Sequence, residues 1–521
     1  MIRISNIKIE VNDRPEESLK KYIQSKYHLD DGDIKELVIK KRSIDARKDK
    51  VYFVYEIDIV STKEQKLLKK YKEINISPNE EYVYNHVDWD GLSPVIVGAG
   101  PAGLFCAYIL SKSGIKPIVV ERGEDIDRRV ESVNNFWENG VLNPESNVQF
   151  GCGGAGTFSD GKLSTLKKDQ DNRQKEILKT FYKHGAPESI LYDNKPHIGT
   201  DYLRIVIKNL CEELESLGTT FMFNTKLTNI NIDNNCIKGI EVNNNKWIDT
   251  NHLILAIGHS ARDTFRMLHK SGIEMENKPF AVGIRVEHPQ KIINNNQYKE
   301  YAKYLPPASY KLTYHTNDNR GVYSFCMCPG GYVVNSSSEL GKLCINGMSN
   351  YKRESLNANS AIVVTVNEKD YGKKLFDGLK FQQELEQKTY DYANGAIPTQ
   401  RYEDFKLNRK TNTFISINPV HKGMTVPANL KEILPSKICN NIEEAMEYFN
   451  NLIPGFNDSD SLLSCIEART SSPIRINRDE NFESNIKGIY PCGEGAGYAG
   501  GIMTSAMDGM KVAEDIIKKN L

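Results

Sequence analysis

The chain has 521 residues, too many for one ordinary core, so we expect roughly two to four domains. Its 68 basic and 68 acidic residues cancel, which excludes a protein held on polyanions or membrane surfaces by bulk charge. The longest apolar run is interrupted by glycines and a proline, and the N-terminus carries charges every few residues. The sequence therefore predicts neither a transmembrane segment nor a signal peptide, and we expect a cytoplasmic protein.

The ten cysteines are scattered without a CxxC motif or framework spacing, which is typical of reduced thiols rather than of a disulfide scaffold. Cys326 and Cys328 form a CxC within YSFCMCPGG, which supplies too few ligands for a metal site. The ten histidines show no HExxH or other paired metal spacing. No metal site is predicted.

Residues 1–90 are predicted to form a separate small α+β domain, with a strand, a helix and two further strands in chain order. The segment 40–50, KKRSIDARKDK, is basic and suggests nucleic-acid binding. Acids and bases balance over the whole domain, however, which favours a solvated hairpin or an interdomain contact over a nucleic-acid partner. The polar stretch 85–93 is predicted to be an exposed linker.

The stretch from Pro94 to Gly123 has the pattern of a complete βαβ nucleotide-binding unit. A buried strand leads into a GxGxxG turn, a helix follows, and a second strand ends at an acid. The glycines allow a tight turn, close approach of the backbone to a pyrophosphate and close packing of the helix on the strand. The acid is placed to accept ribose hydroxyls. The nucleotide-binding residues predicted here are Gly98, Gly100, Pro101, Ala102, Gly103, Glu121 and Arg122.

The GxGxxG pattern occurs twice more, at 151–156 and at 495–500. The first of these follows a polar run and opens no helical pattern, so we expect a loop. The second lies between a strand and a helix, but the chain ends about 20 residues later, too soon for a unit of about 30 residues. The sequence thus predicts only one complete dinucleotide-binding unit.

Other glycines and an arginine suggest further cofactor contacts. The helix predicted after residue 123 carries Arg128 and Arg129 near its start, where one guanidinium could bond a phosphate or join a surface salt bridge. The glycine density between 151 and 161 is typical of backbone that approaches a planar ring. The predicted residues are Arg129, Gly153, Gly154, Gly156 and Gly258, followed near the C-terminus by Gly493, Glu494, Gly500, Gly501 and Ile502.

The second half of the chain is predicted to add another domain. Residues 173–218 are predicted to form two helices, the second capped by Thr200 or Asp201. From 279 to 456 strands follow one another without crossover helices, which indicates a mixed or antiparallel sheet inserted as a substrate domain. The nucleotide domain then comprises residues 91–278 and 457–521.

Five segments together resemble one class of flavoproteins: VIVGAGPAGLF, ERGEDIDRR, QFGCGGAGTFSDGKL, EARTSSPIRI and PCGEGAGYAGGIMTSAMDGM. Over nearly its whole length the chain is similar to a bacterial family of FAD-dependent dehydrogenases of unestablished substrate, within the flavoproteins that share the glutathione reductase type FAD domain. The resemblance implies an α/β protein with a Rossmann-type FAD-binding domain. It places the adenosine end of FAD at 98–103 and Glu121, and the flavin end between the 151–161 loop and the C-terminal helix. The wider class usually has Asp where this chain has Glu494.

We therefore expect an FAD-dependent oxidoreductase that transfers hydride between the flavin and a small organic substrate. The flavin supplies the redox chemistry, so the protein has to position it and a hydride partner. Because the chain lacks a second complete dinucleotide unit and a CxxxxC pair, a disulfide reductase with a tightly held NAD(P)H site is not expected, and NAD(P)H is expected only as a transient reductant. The alternative is a flavin-binding electron-transfer protein whose N-terminal domain docks a macromolecule such as RNA.

Five polar residues are candidates for a place near the flavin. Arg469 could hold an anionic substrate, stabilise the reduced flavin, or simply pair with its neighbour Glu467. His197 could act as an acid or base, or bond to backbone in a turn. The full set of candidates is Asp160, Lys162, His197, Glu467 and Arg469.

Overall fold

Residues 1–76 of the computed structural model, which describes residues 1–12 and 14–521, form an antiparallel sheet packed against two helices. Its elements are β1 (Ile2–Glu10), α1 (Pro15–Tyr27), β2 (Ile34–Asp45), β3 (Tyr52–Ser61), α2 (Glu64–Lys70) and β4 (Ile74–Ile76), with strand order β2–β3–β1–β4. In β1 the buried side chains change from Ile2 and Ile4 to Ile7 and Ile9, because a bulge shifts the register between Ile4 and Ile7. The predicted strand, helix and two strands are present, and the structure adds α2 and β4.

The basic segment 40–50 pairs with acids of its own protein. Arg42 makes a bidentate contact with Asp193 of the next domain, at 2.8 and 3.1 Å. Arg47 pairs with Asp45 at 2.7 Å. Arg42 therefore makes an interdomain contact, and these pairs give no support to an RNA-docking role.

Residues 95–277 contribute four of the five strands of a parallel sheet, together with the helices that pack on it. The elements are β5 (Val95–Val97), α3 (Pro101–Lys112), β6 (Ile118–Val120), α4 (Ile126–Asn139), α5 (Arg173–Lys183), α6 (Gly199–Ser216), β7 (Thr220–Met222), β8 (Leu227–Asp233), β9 (Cys236–Val242), β10 (Lys246–Asp249), β11 (Leu253–Leu255), α7 (Arg262–Lys270) and β12 (Met275–Asn277). β8, β9 and β10 form a separate antiparallel sheet. Helix α3 is buried from Ala102 to Ser111, which explains why its sequence is apolar on all sides.

The predicted cap of α6 is wrong. The helix begins at Gly199, one residue before Thr200 and two before Asp201. The Thr200 hydroxyl instead donates to the carbonyl of Thr157 at 2.6 Å, and the Asp201 carboxylate accepts from the backbone N–H of Tyr351 at 2.8 Å. Both side chains therefore join α6 to neighbouring loops.

Residues 280–476 form the inserted region, which is built on a mixed seven-stranded sheet and extends past the predicted boundary at 456, because the strand Leu462–Glu467 lies inside that sheet. Its elements are β13 (Phe280–Pro289), α8 (Gln290–Tyr298), β14 (Thr313–His315), β15 (Gly321–Cys328), β16 (Tyr332–Asn335), β17 (Ile345–Met348), β18 (Asn357–Val366), α9 (Glu368–Tyr371), α10 (Asp377–Ala393), β19 (Ile397–Arg401), α11 (Tyr402–Lys406), β20 (His421–Lys422), β21 (Thr425–Pro427), α12 (Ser436–Leu452), β22 (Leu462–Glu467) and β23 (Ile474–Ile476). The order of the large sheet is β14–β15–β18–β13–β22–β19–β21. β17, β16 and β20 form a smaller sheet, and β23 pairs with β12.

The C-terminal segment returns to the parallel sheet. β24 (Ile489–Pro491) lies beside β11, which gives the strand order β24–β11–β5–β6–β7. The last helix, α13 (Ile502–Lys518), packs so closely on α3 that a Cβ at Gly509 would lie 2.0 Å from the carbonyl oxygen of Ala102. The first strand unit and the last helix thus share one core.

The described residues contain neither a membrane-spanning helix nor a metal-binding cluster. No helix among them is both long and apolar enough to cross a membrane. Within the same residues, no group of three or more His, Cys, Asp or Glu side chains is placed to bind a metal ion.

Most of the predicted linker 85–93 is exposed, but its Val87 is buried and the residues just before it are also held. The phenol of Tyr82 donates to Glu514 at 2.7 Å, that of Tyr84 donates to Glu176 at 2.5 Å, and Val87 belongs to the core of the parallel-sheet domain. Deleting residues 1–77 is therefore expected to keep bound FAD, whereas deleting 1–90 exposes this core. The FAD-to-protein ratio of the two purified truncations, measured by absorbance, tests this. Loss of FAD from the shorter deletion would show that the N-terminal sheet is needed for cofactor binding.

Candidate functional site

One cavity of about 630 Å³ lies between the parallel sheet and the inserted region. It begins where β5 and β6 end, at Val97 and Val120, and passes between the loop 151–161 and the start of α13. It ends at residues of β15 and β17, among them Cys326 and Asn346. Its size is that of an ordinary ligand site.

The first end of the cavity is the glycine turn after β5. Gly98 has a φ of +105°, and a Cβ there would lie 2.3 Å from the carbonyl oxygen of Ala256. A Cβ at Gly103 would lie 1.9 Å from the carbonyl oxygen of Gly98, so this glycine lets α3 pack beneath the turn and does not line the cavity. Gly100, Pro101 and Ala102 do line it. The unpaired N–H groups at the start of α3 are therefore available to an anionic group.

Glu121 lines the cavity beside this turn but is only 5% exposed. Its Oε2 accepts from the N–H of Ala99 at 2.8 Å, and its Oε1 accepts from the N–H groups of Gly123 and Gly151 at 2.9 Å. A carboxylate oxygen has two acceptor positions, so Oε2 keeps one for a hydroxyl group. The acid thus ties three backbone segments together, a role that the sequence did not predict.

Glu121→Ala is expected to weaken FAD binding and also to lower the free energy of unfolding by roughly 2 to 5 kcal/mol, because three buried N–H groups lose their acceptor. Urea unfolding of the apoprotein and titration with FAD measure the two effects separately. An unchanged unfolding free energy would contradict the role of Glu121 as the hydrogen-bond acceptor that joins three backbone segments.

The two arginines predicted to bind the cofactor have other partners. Arg122 lines the cavity but forms a bidentate pair with Asp263 at 2.9 and 3.0 Å, and stacks over the ring of Phe150. The prediction that Arg129 reaches a phosphate is wrong, because this side chain is fully buried. Its guanidinium donates to four carbonyls of one loop, those of Asn147, Val148, Gly151 and Cys152, at 2.9, 3.0, 3.2 and 2.6 Å.

The loop held by Arg129 packs against the glycine turn before α3 and against the first residue of α13. A Cβ at Gly154 would lie 2.8 Å from Cα of Gly100, and one at Gly156 would lie 2.9 Å from Ile502. Gly154 and Gly156 line the cavity. Gly153 was predicted to do so, but it faces Thr157 on the other side of the loop.

The middle of the cavity has room for a flat group. No atom lies within 4 Å of the Cβ positions of Gly258, Gly500 and Gly501, all of which line the cavity. Ile502 begins α13 here, so the first N–H groups of a 17-residue helix lack helical acceptors at this point. Gly493 was also predicted to contact the cofactor, but its N–H donates to Asp508 at 2.8 Å and it packs on α3, outside the cavity.

Glu494 and His259 face each other across this part of the cavity, with Oε1 and Nδ1 3.9 Å apart. Burial raises the pKa of Glu494 to about 7. Burial, and then the nearby Arg469 and Arg262, lower the pKa of His259 to about 3, so the imidazole is neutral. Its buried Nε2 has no partner among the described residues. The unpartnered Nε2 of His259 and the carboxyl of Glu494 carry no fixed charge. Both are therefore suited to form hydrogen bonds with the polar groups of a bound ligand.

The Glu494 carboxyl should make the stability of the apoprotein depend on pH. Its pKa is near 4.5 when unfolded and about 7 when folded, so the folded state binds the proton more tightly. The contribution of Glu494 to the free energy of unfolding is therefore expected to fall by roughly 2 to 3 kcal/mol between pH 4.5 and 7, while the buried histidines contribute in the opposite direction. Glu494→Gln should remove that fall, whereas the exposed Glu480→Gln should not. Equal pH slopes for the two variants in urea unfolding would contradict the assignment.

Asp160 and Lys162 come from the end of the glycine loop and line the second half of the cavity. Asp160 accepts from Arg353 at 2.6 and 3.0 Å and from Ser349 at 2.5 Å. Burial opposes its ionisation, but Lys162 and Arg353 hold the pKa of this carboxyl well below its usual range. Lys162 lies 3.0 Å from Asp160 and keeps 39% of its side chain exposed. Asp160 therefore acts as a fixed counter-ion, and Lys162 is the group that faces the cavity.

His197 does not reach the cavity. Its Nε2 lies 2.8 Å from the carbonyl oxygen of Tyr351, and its ring stacks on that of Tyr351. Burial, followed by the charge of Arg353, lowers its pKa to about 4. The interpretation as a turn-stabilising histidine is the one that the contacts support.

Glu467 and Arg469 do not pair with each other. Glu467 pairs with Arg285 at 3.0 Å, in a fully buried contact behind the cavity. Arg469 lines the cavity and pairs with Glu386 through two 2.8 Å bonds. Glu386 also binds Arg262 through two 2.8 Å bonds. Two arginines therefore share one buried carboxylate.

Several residues of the site carried no usable sequence signal. His259 directly follows Gly258, and that position after a buried strand is the one hint that was available. Arg353 and Glu386 lie in segments with no motif. Two exposed lysines at the end of the cavity near the inserted region also lie in segments with no motif, namely Lys195 and Lys311.

Comparison with known proteins agrees with this arrangement. A family model described as "FAD-dependent protein, C-terminal domain-like" matches residues 279–470, and one described as "NAD(P)-binding Rossmann-like domain" matches residues 96–157. Residues 1–60 match a domain of unknown function. An uncharacterized protein of Clostridium beijerinckii is 44% identical over 530 aligned residues, covering 99% of each chain. The chain belongs to this family of FAD-dependent oxidoreductases.

Two solved structures align with most of the chain at low sequence identity. L-proline dehydrogenase from P. horikoshii is 15% identical with a TM-score of 0.36, covering 83% of this chain and 94% of that one. Glycerol-3-phosphate dehydrogenase from Bacillus halodurans, solved in complex with FAD, is 12% identical with a TM-score of 0.35, covering 83% and 65%.

Proposed function

We propose that the cavity binds FAD along its first half and a small organic substrate in its second half, and that the protein transfers hydride between the two. The observation that carries this proposal is the continuity of the cavity from Glu121 to Lys162. A site for FAD alone would not require the opening that extends into the inserted region.

Two helix termini would hold the charged parts of the cofactor. The start of α3, with Gly100 and Pro101, suits the pyrophosphate, and Glu121 suits the adenosine ribose. The start of α13 suits the edge of the flavin that becomes anionic on reduction. Gly258, Gly500 and Gly501 leave room for the ring, and Glu494 can accept a hydroxyl of the ribityl chain. When bound, FAD supplies the two-electron redox chemistry, and the protein supplies position and electrostatics.

The second half of the cavity favours an anionic substrate. Its lysines are Lys162, Lys195 and Lys311. Of these, Lys195 and Lys311 make no ion pair with any described residue, and both are exposed. The one carboxylate here, Asp160, is fully engaged by Arg353, Ser349 and Lys162. An organic carboxylate is therefore the substrate class that this charge distribution attracts.

NAD(P)H is proposed as a transient reductant only. The parallel sheet contains one glycine turn of the nucleotide-binding kind, which the proposal assigns to FAD. A reduced nicotinamide would then have to enter at the second half and leave before the substrate binds.

The test begins with the cofactor. Heat-denatured protein is expected to release FAD rather than FMN, because Glu121 and the turn at Gly98 recognise an adenosine that FMN lacks. Anaerobic mixing with NADH and with NADPH, followed by visible absorbance, then shows whether either reduces the bound flavin. Release of FMN alone would overturn the assignment of the first half of the cavity. Reduction only by a protein donor would favour the electron-transfer alternative.

A further inference from the structure

Lys195 lies on the short segment 192–198, at the end of the cavity near the inserted region. Its side chain lines the cavity and is exposed, and it makes no ion pair with any residue that the structure describes. An ammonium group without a counter-ion attracts an anionic ligand. What holds this lysine in place therefore bears on how the cavity selects its substrate.

One side of the segment is held by the loop that carries Lys162. Two backbone hydrogen bonds, of 2.8 and 3.0 Å, join residues 161–163 to residues 196–198. In this antiparallel pairing Lys162 lies opposite His197. The backbone directly after Lys195 is thus fixed relative to the lysine deeper in the cavity.

The other side of the segment is held by β2 of the N-terminal domain. The N–H of Arg42 donates to the carbonyl of Tyr192 at 2.7 Å, and the carbonyl of Arg42 accepts from the N–H of Asn194 at 2.8 Å. The Arg42 guanidinium binds the carboxylate of Asp193 and lies over the ring of Tyr192, 5.0 Å from its centroid. The N-terminal domain therefore sets the path of the backbone directly before Lys195.

The Arg42 side chain also controls the charge next to Lys195. Asp193 is two residues away and is the nearest acid to Lys195 along the chain. Both of its carboxylate oxygens accept from Arg42, at 2.8 and 3.1 Å, although 30% of the Asp193 side chain is exposed. Without Arg42 this carboxylate would be free to pair with the Lys195 ammonium. A lysine neutralised in that way attracts an anion less strongly.

The N-terminal domain contacts the inserted region as well. Tyr301 and Leu305 pack against the core of its sheet, and Lys299 pairs with Asp49 at 3.1 Å. This stretch leads into Lys311, the other exposed lysine that lines the cavity. The N-terminal domain is therefore docked on the two segments that carry or precede these lysines.

We propose that the N-terminal domain is part of the substrate site, and that Arg42 is a positioning residue that keeps the Lys195 ammonium free for the carboxylate of the substrate. Arg42 does this by engaging Asp193. The proposal rests on the proposed function, because it takes the second half of the cavity to bind an organic carboxylate. It adds a role for residues 1–76, which contribute none of the residues that line the cavity.

The experiment measures the binding of three acid–amide pairs to the holoprotein at neutral pH, through the change in flavin absorbance. The probes are acetate with acetamide, propionate with propionamide, and benzoate with benzamide. The two members of a pair have nearly the same shape and differ in charge, so the ratio of their dissociation constants measures selectivity for the anion. In the wild type, at least one acid should bind about tenfold more tightly than its amide.

Two single variants should lower this ratio. Lys195→Met removes the ammonium, so the ratio is expected to fall about fivefold. Arg42→Met releases Asp193 but keeps the backbone bonds of residue 42, and the ratio is expected to fall about two- to threefold. Asp193→Asn should keep at least the wild-type ratio, and the double variant Arg42→Met/Asp193→Asn should recover it. A purely structural role of Arg42 would give no such recovery.

Arg47→Met is the matched control. Arg47 lies in the same basic segment, but it pairs with Asp45 of its own domain at 2.7 Å. Its replacement should leave the acid–amide ratio unchanged. The melting temperature of every variant, measured alongside, shows that the ratios are compared between folded proteins.

Two outcomes overturn the inference while leaving the proposed function intact. One is an unchanged ratio in Lys195→Met or in Arg42→Met. The other is a double variant whose ratio stays as low as that of Arg42→Met, because the loss would then not come from Asp193. Failure of the proposed function looks different, since no probe would then change the flavin absorbance of the wild type, or acids and amides would bind it equally.

Discussion

Arg129→Met is expected to weaken FAD binding and to lower the free energy of unfolding by about 4 kcal/mol or more. The guanidinium is fully buried and satisfies four carbonyls of the loop that leads into the flavin site. Burial lowers its pKa to about 10, so it remains charged at neutral pH. Methionine fills similar space but leaves those carbonyls without donors. Urea unfolding of the apoprotein and FAD titration measure the two losses.

The neighbouring residue is a matched control for this change. Arg128 is also on the first turn of α4, but 71% of its side chain is exposed and its nearest carboxylate, that of Asp125, is 3.7 Å away. Arg128→Met should therefore change the unfolding free energy by less than about 0.5 kcal/mol. If the two variants unfolded alike and both kept FAD, the loop would not depend on Arg129.

Gly501→Val is expected to weaken FAD binding by about 100-fold or more while leaving the apoprotein folded. The residue precedes α13 with φ 170° and ψ 173°, extended backbone that valine adopts without strain. No protein atom lies within 4 Å of its Cβ position, so the added side chain occupies the space proposed for the flavin. Any flavin that remains should lose contact with the start of α13, and its reduction potential should fall.

Gly32→Val tests whether a new valine alone has this effect. Gly32 also has no atom within 4 Å of its Cβ position, and it lies in the N-terminal sheet domain. Melting temperature, FAD affinity and reduction potential should match the wild type in that variant. An unchanged potential at full FAD occupancy in Gly501→Val would remove this stretch from the flavin site.

The local parts of the fold could be predicted because they depend on neighbouring residues. The first βαβ unit follows from a strand, a glycine turn and a helix within 30 residues, and the structure has all three. The mixed sheet of the inserted region followed from successive strands, and β13, β15 and β18 lie side by side in it. These features need no knowledge of distant contacts.

The ion pairs of the site could not be predicted, because their partners are far apart along the chain. Glu467 and Arg469 are two residues apart, which suggested a pair. The structure joins Glu467 to a residue 182 positions away and Arg469 to one 83 positions away. Arg129 was misassigned for a related reason, since an arginine near a predicted phosphate site gives no sign that it will be enclosed by loop carbonyls.

The order of the parallel sheet has a consequence for how the protein is made. Its edge strand β24 and the helix α13 are synthesised after the whole inserted region, yet α13 packs on α3, which precedes that region in the chain. While the inserted region folds, the glycine turn after β5 therefore lacks the other side of the cavity, which the start of α13 provides. We expect nascent chains that stop before residue 489 to capture no FAD, so the coloured cofactor would report that β24 and α13 have been synthesised.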